Sequence, residues 1–311
     1  MIGLTGLTEL SMNPSAIEHL LTDHEKDMFT RDGYLIINNA IENGLHERLI
    51  DVVDRVNQRE RQPEHGNRLL SVTDVIQEDP AMVELIDNTR VFPKLLSILG
   101  WNIYLYHSHL DITPSENVQD QPWSVAWHQD SMRVNAEIES NPRPRLSVKI
   151  GYYLTDVGIP NCGNTLVLPG SHIENNLDCP NDGISNPKNA IPLCVSAGDA
   201  VILDRRIWHT RSPNTSGHTR KVIWYGYSYR WLRPKDEMTV EHLYGELSPI
   251  QRQILGDATS ANSVYDPKPE DIPLKAWVEQ HAPNLATDSP HGKSDVRPPA
   301  GGKRGTNIGR N

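Results

Sequence analysis

Within Ala126-Trp127-His128-Gln129-Asp130 an imidazole and a carboxylate stand two residues apart. If this stretch is extended, alternate side chains share a face, so His128 and Asp130 can converge on one metal ion while Gln129 points away from it. The third ligand has to come from elsewhere, and His209, closing the run Ala197-Gly-Asp-Ala-Val-Ile-Leu-Asp-Arg-Arg-Ile-Trp-His209, is the candidate. Segments so far apart in sequence meet only if a sheet folds back on itself, which restricts the chain to an architecture of distant strands laid side by side. Two histidines and one carboxylate on one face leave the remaining coordination positions open, the arrangement of non-haem Fe(II) sites.

The surrounding texture agrees. From Trp101 to about residue 230, apolar alternation predicts strands, with Ile103, Leu105, His107 and His109 on one parity. Leu146 to Leu154, Thr165 to Leu168, Ala200 to Leu203 and Lys221 to Tyr229 are the clearer strands, separated by turns at Pro160-Asn-Cys-Gly163, Pro169-Gly170 and Ala197-Gly198-Asp199. Many short strands with such punctuation predict a mainly β fold with flanking helices, its core a double-stranded β-helix, the cupin-like jelly roll. Residues 131–145, polar and proline-rich, read as a loop over the site mouth.

On either side of this core the spacing turns helical. Residues 14–31 repeat apolar positions at helical intervals up to Asp32-Gly33, and Tyr34-Leu-Ile-Ile37 follows as a short buried strand. Leu45, Leu49, Ile50, Val53 and Val56 predict an amphipathic helix. Residues 71–99 read as helical with breaks at Asp79-Pro80 and Phe92-Pro93, ending at Gly100. Helical texture returns over Val240 to Leu255 and Leu274 to Gln280. The expected organisation is therefore support for the catalytic domain over 1–100, the β core over 101–232, a helical segment over 233–287 and a disordered tail over 288–311, which has almost nothing apolar to bury.

Composition narrows the partners. With 40 acidic against 30 basic residues and a formal charge of −10, a phosphate-backbone-binding surface, and hence nucleic acid, is not expected. Three cysteines, Cys162, Cys179 and Cys194, form no C-x-x-C pair, which speaks against a disulfide framework or structural zinc and for a cytoplasmic setting. The N-terminus lacks a secretory pattern, and no apolar run reaches the roughly 18 residues of a membrane span. A small-molecule substrate is the expected partner; oligomeric state is not legible.

Several separate pieces then agree with one family. Leu21-Thr followed by Phe29-x-x-Asp32-Gly33-Tyr34-Leu-Ile-Ile, the Trp127-His128-Gln129-Asp130 motif, Asn161-Cys-Gly163 leading to Leu168-Pro169-Gly170-Ser171-His172, and Gly198-Asp199 ahead of His209 occur in the family's order. Over roughly residues 20–232 the chain resembles the phytanoyl-CoA dioxygenase (PhyH) superfamily of Fe(II)/2-oxoglutarate oxygenases. The resemblance implies that His128, Asp130 and His209 are the iron ligands. It implies 2-oxoglutarate and O2 as co-substrates, and a substrate C–H bond that is hydroxylated. The family's arginine, 11 residues after the distal histidine, falls on Arg220; its planar fork suits the far carboxylate of 2-oxoglutarate. Tyr152 aligns with the family's aromatic residue beside the co-substrate, and Gln129 is a further candidate lining residue. Where the family has serine two residues after the distal histidine, this chain has Arg211, with Ser212 one step later. Asn214 also matches the family, and reads mainly as a turn former.

Other readings stay open at this stage. Within the fold, a desaturase or epoxidase shares all of these residues, whereas a halogenase would lack the carboxylate that Asp130 supplies. A non-catalytic jelly-roll binding protein, or a zinc hydrolase on the same triad, would leave Arg220 without a task. His172 reads as a turn or strand-end residue rather than a ligand. His107 and His109 read equally as cavity lining or as a solvated strand face, and Trp127 and Trp208 as packing away from the metal. Trp123, Arg143, Arg145 and Lys149 either meet a substrate or are solvated.

Overall fold

Nine antiparallel strands appear in the computed structural model, which describes residues 12–118, 123–180 and 182–287. They are β1 (Tyr34–Ile37), β2 (Leu70–Thr73), β3 (Ile103–Thr113), β4 (Ser147–Tyr153), β5 (Thr165–Val167), β6 (Ile191–Pro192), β7 (Ala200–Asp204), β8 (His209–Arg211) and β9 (Arg220–Tyr229). Six form one sheet in the order β1-β7-β4-β9-β3-β2, and three form a smaller one in the order β6-β5-β8. Val167, Leu193 and Ile207 from the side of the smaller sheet pack with Tyr153, Val201, Val222 and Trp224 of the larger. The two sheets therefore face each other across a shared core, as a jelly roll does.

The other face of the large sheet is dry as well. Ile150, Tyr152, Ile223, Tyr225 and Tyr227 lie in a second core with Val52, Val53 and Val56 of the helix Asn43–Glu60 and with Phe92, Leu95 and Leu96 of the helix Phe92–Leu99. This explains why β4 and β9 read as nearly continuous apolar runs: both their faces are buried. The helix Asp23–Asp32 has a Thr22/Glu25 capping box and stops at Gly33, whose φ of 82° a side chain would strain. A Cβ on Gly33 would also lie 2.6 Å from His172 Nδ1.

Three expectations change. Residues 14–31 are two pieces, a 3-10 turn over Pro14–His19 and the helix Asp23–Asp32. The start of 71–99 is strand rather than helix, because Leu70–Thr73 pairs along the edge of β3. Only Pro80–Val83 and Phe92–Leu99 in that span are α-helical, each with its proline in the first turn, where a missing N–H does no harm. Between Val240 and Leu255 the α-helix is confined to Pro249–Ile254. Pro273–His281 is helical as expected, and the tail over 288–311 lies outside the described residues. No helix among the described residues is long and apolar enough to cross a membrane.

A register shift in β3 between Leu105 and His107 has consequences for the site. Without it, Ile103, Leu105, His107 and His109 would share one face. With it, Ile103 and Leu105 join the helix-covered core, and His109 lines the cavity between the sheets. A bulge of this kind re-aims the side chains that follow it.

Candidate functional site

His128, Asp130 and His209 offer one ligand atom each, all within 4.8 Å of one another. The backbone builds this cluster. His128 N–H donates to His209 C=O at 3.0 Å and His209 N–H donates to His128 C=O at 3.0 Å, so the segment before Asp130 runs alongside β8. Asp130 N–H donates to Arg205 C=O at 3.0 Å, and Arg205 Nη1 donates to Asp130 C=O at 3.2 Å. The turn carrying the carboxylate is thereby held on both sides.

Each imidazole is also oriented. His128 Nδ1 lies 2.8 Å from Ala126 C=O, and His209 Nδ1 lies 2.9 Å from Ile207 C=O. A carbonyl only accepts, so Nδ1 carries the proton on both rings and Nε2 keeps its lone pair for a metal. Burial pushes the His209 imidazole down to about 4, against the pull of Asp130. For Asp130 burial opposes ionisation, but the neighbouring Lys149 first, then His209, Lys235 and His128, outweigh it and hold the carboxyl well below the usual range. Lys149 Nζ stands 3.7 Å from Asp130 Oδ1. A neutral imidazole and an ionised carboxylate are the forms that bind metals.

Beside the cluster opens a cavity of about 800 Å³, which His128, His209, Lys149, Thr165, Arg220 and Trp224 help to line. Arg220, at the first position of β9, is buried, and its Nε and Nη1 have no hydrogen-bond partner among the described residues. A buried guanidinium with unused donors in a fixed fork is a site for a carboxylate brought in by a ligand. Gly163 makes room for it, since a Cβ there would lie 2.8 Å from Arg220 Cδ. The donor set therefore fits both a divalent metal and a carboxylate-bearing co-substrate.

Two expected co-substrate residues do not face this cavity. Gln129 is buried with its amide donating to Glu174 C=O at 2.9 Å and to Arg206 C=O, while its oxygen accepts from Arg143 Nη1 at 2.6 Å. It points away from the ligands, as the alternation of the strand requires. Tyr152 points through the other face of β4, where its hydroxyl donates to Leu85 C=O at 3.2 Å. The neighbour Tyr153 is the aromatic residue on the cavity side. Its hydroxyl shares a 2.7 Å hydrogen bond with Thr165 Oγ1, and the Arg220 guanidinium lies 5.5 Å from its ring centroid.

Arg211 does not replace the family's serine in kind. It makes a bidentate pair with Glu116 at 2.8 and 2.9 Å, and its guanidinium sits 4.7 Å from the Trp123 ring centroid. Asn214 serves its turn, donating to Thr113 and His218 carbonyls. His172 is no ligand: its Nε2 meets Thr30 C=O at 3.1 Å. Arg143 and Arg145 are neither solvated nor in the cavity, because Arg143 holds Gln129 and Arg145 Nε donates to buried Asp204 at 2.6 Å. Trp127 and Trp208 bind Asn186 Oδ1 and Glu174 C=O, away from the ligands. Residues 131–145 contain a short helix, Met132–Glu137, and back the Asp130 turn through Asn135. They do not line the cavity; Gly66, Asn67 and Leu69, residues 116–118, and Trp123 and Ser124 supply part of its wall instead.

Sequence reasoning passed over Tyr153, Thr165, Asp111, Glu116 and Trp224. The signal for two of them was present: counting by twos from His109 reaches Asp111, and counting by twos from Arg220 reaches Trp224.

Comparison with known proteins follows the same lines. A family model described as phytanoyl-CoA dioxygenase (PhyH) matches residues 29–222. Ectoine dioxygenase of Nocardia farcinica is 28% identical over 152 residues, 46% of this chain and 49% of that protein. Dioxygenase andF of Emericella variicolor is 26% identical over 155 residues, 49% of this chain and 50% of that protein. The chain thus spans about half the length of these curated relatives. Among solved structures, HygX from Streptomyces hygroscopicus with nickel and 2-oxoglutarate bound superposes with a TM-score of 0.57 at 14% identity, covering 69% of this chain and 90% of that one. EctD from S. alaskensis does so with a TM-score of 0.55 at 18% identity, over 69% and 79% of the two chains. These likenesses are of fold.

Proposed function

The chain belongs to the phytanoyl-CoA dioxygenase family, and we propose on that premise that it is an Fe(II)/2-oxoglutarate-dependent dioxygenase that hydroxylates an unactivated C–H bond of a small organic substrate. One observation carries the reading beyond the family. The buried Arg220, with unused donors, opens into the same cavity as the three-ligand cluster. A zinc hydrolase or an idle binding fold has no use for that pairing.

In this reading His128 and His209, through Nε2, and Asp130, through its carboxylate, hold the metal, and Arg220 binds the far carboxylate of 2-oxoglutarate. Bound there, Fe(II) and 2-oxoglutarate would supply the electrons that activate O2, one oxygen atom ending in succinate, with CO2 released, and the other in the substrate. The remaining tasks fall to the chain. Tyr153 and Thr165, joined to each other beside Arg220, take the supporting role that the sequence suggested for Tyr152. Lys149 neutralises part of the charge at Asp130 and closes the wall against Trp224, its Nζ 4.7 Å from the ring centroid. Three unpaired cysteines accord with a reducing, cytoplasmic setting.

The test is a substrate screen with Fe(II), 2-oxoglutarate and ascorbate, followed by mass spectrometry and succinate release. A product gaining one oxygen, with succinate in equal amount, supports the reading. Failure of the iron-loaded chain to bind 2-oxoglutarate sinks it.

A further inference from the structure

The cavity carries one charge that nothing in the fold answers. Its walls hold four charged groups in addition to Arg220. Glu116 and Arg211 neutralise each other through two hydrogen bonds, and Lys149 stands beside Asp130. That leaves Asp111, on β3, whose side chain is only 17% exposed. Its Oδ2 accepts from Trp224 Nε1 at 3.1 Å, and its nearest ionisable neighbour is His109 Nε2, 3.9 Å from Oδ1. No lysine or arginine pairs with it among the described residues. Burial, together with the positive charge of Lys149, drives the His109 imidazole well below its usual value, so His109 is neutral and no counter-ion.

His109 itself is the second observation. It is 8% exposed, lines the cavity, and its Nδ1 has no hydrogen-bond partner among the described residues. The ring is fixed between two others, stacked on His107 with centroids 4.7 Å apart and on Trp224 at 6.2 Å. A carboxylate only 17% exposed with no cation beside it, and a clamped imidazole next to it, are groups that a suitable ligand can satisfy. A ligand that brings a positive charge and N–H donors satisfies both.

We propose that this wall recognises a cationic nitrogen on the substrate, an ammonium or amidinium group, with Asp111 as counter-ion and the clamped, neutral His109 ring beside it. The proposal deepens the oxygenase reading and rests on it for the word substrate. Trp224 completes the subsite: its N–H fixes Asp111, and Gly151, where a Cβ would lie 2.5 Å from the indole, lets the ring lie flat against β4. An anionic substrate would meet Asp111 and find no free cation, since Lys149, Arg211 and Arg220 are engaged by Asp130, Glu116 and the co-substrate.

The experiment uses the full chain loaded with Mn(II) and 2-oxoglutarate, titrated calorimetrically with three probes of matched shape: benzylamine, benzyl alcohol and phenylacetate. Benzylamine is expected to bind, and the other two at least about tenfold more weakly. Asp111→Asn keeps an acceptor for the Trp224 N–H and removes only the charge, so it should lose the amine preference while melting as the wild type does. Equal binding of amine and carboxylate, no binding of the amine, or an Asp111→Asn protein that keeps the preference overturns the proposal. The preference of the wild-type chain needs no variant to fold. Titration of 2-oxoglutarate into the Mn(II)-loaded chain, before it is saturated for the probes, separates the two readings, because its failure would remove the oxygenase assignment, and the probes titrated into the Mn(II)-loaded chain alone would still read the amine preference.

Discussion

His128 and His209 face each other as an isolated antiparallel pair, each main-chain N–H donating to the other's carbonyl at 3.0 Å, with their rings 4.3 Å apart. The main chain, not the side chains, brings the two ligands together. Removing either imidazole should therefore leave the pairing of β8 intact. His128→Ala and His209→Ala are expected to remain folded by circular dichroism, to lose bound iron, and to lose turnover. Iron content by elemental analysis at wild-type level in either variant would contradict the ligand assignment.

Arg220 and Gly163 make a second pair that can be separated from the metal. Arg220→Ala should weaken 2-oxoglutarate binding by about 2–5 kcal/mol, the usual loss when a charge-assisted pair in a desolvated site is truncated. Gly163→Ala should act in the same direction and more mildly, because its Cβ would crowd Arg220 Cδ from 2.8 Å and its φ of 75° disfavours any side chain. Both variants should keep wild-type iron content. Calorimetric titration of 2-oxoglutarate reads the effect, and unchanged affinity in Arg220→Ala would remove that residue from the site.

Of the four buried histidines, His107, His109 and His209 carry the larger downward shifts and set a pH dependence, to which His172 adds in the same direction. Burial pushes His209 down to about 4 and His107 down to about 3, and drives His109 well below its usual value. All three stay neutral in the fold where the unfolded chain, with imidazoles near 6.5, takes up protons. The unfolded state then binds more protons, so stability is complete above about pH 6.5 and is lost as the pH falls towards 4 and then 3. Each such group contributes at most about 1.4 kcal/mol per pH unit in that window. Melting of the metal-free protein should shift steadily downward from pH 7 to about 4.5, and a flat profile would show that these rings are not held neutral.

The clustering of His128, Asp130 and His209 was legible because two short-range rules, alternation within His128-Gln-Asp130 and the sequence order of the flanking motifs, pointed to the same residues. The walls around them were less so. A register shift in β3 separates Leu105 from His109, and nothing in the spacing of that apolar strand announces it. Leu70–Thr73 is strand because β3 offers it an edge, a long-range pairing that helical spacing over 71–99 cannot reveal. Asp111 and Trp224 were reachable by parity, but only after the face of each strand was known. The composition of residues 131–145 predicts a loop over the site mouth, whereas their polar groups serve the turn beneath Asp130.

Tyr152 and Tyr153 give the sharpest test of which face of β4 belongs to the site. Two adjacent tyrosines cannot be told apart by motif alignment, yet in a strand they must point opposite ways. Tyr152 is locked in the helix-covered core by Leu85, and Tyr153 reaches Thr165 beside Arg220. Tyr152→Phe should lower stability by about 1 kcal/mol, the typical worth of one buried hydrogen bond, and leave 2-oxoglutarate affinity alone. Tyr153→Phe should weaken 2-oxoglutarate binding several-fold, because Thr165 Oγ1 and the edge of the Arg220 pocket lose their anchor, with iron content unchanged. If instead Tyr152→Phe changed co-substrate affinity and Tyr153→Phe did not, the assignment of cavity-facing side chains on β4 would have to be reversed. That reversal would also turn Lys149 and Gly151 away from Asp130 and Trp224, since residues 149, 151 and 153 share one parity.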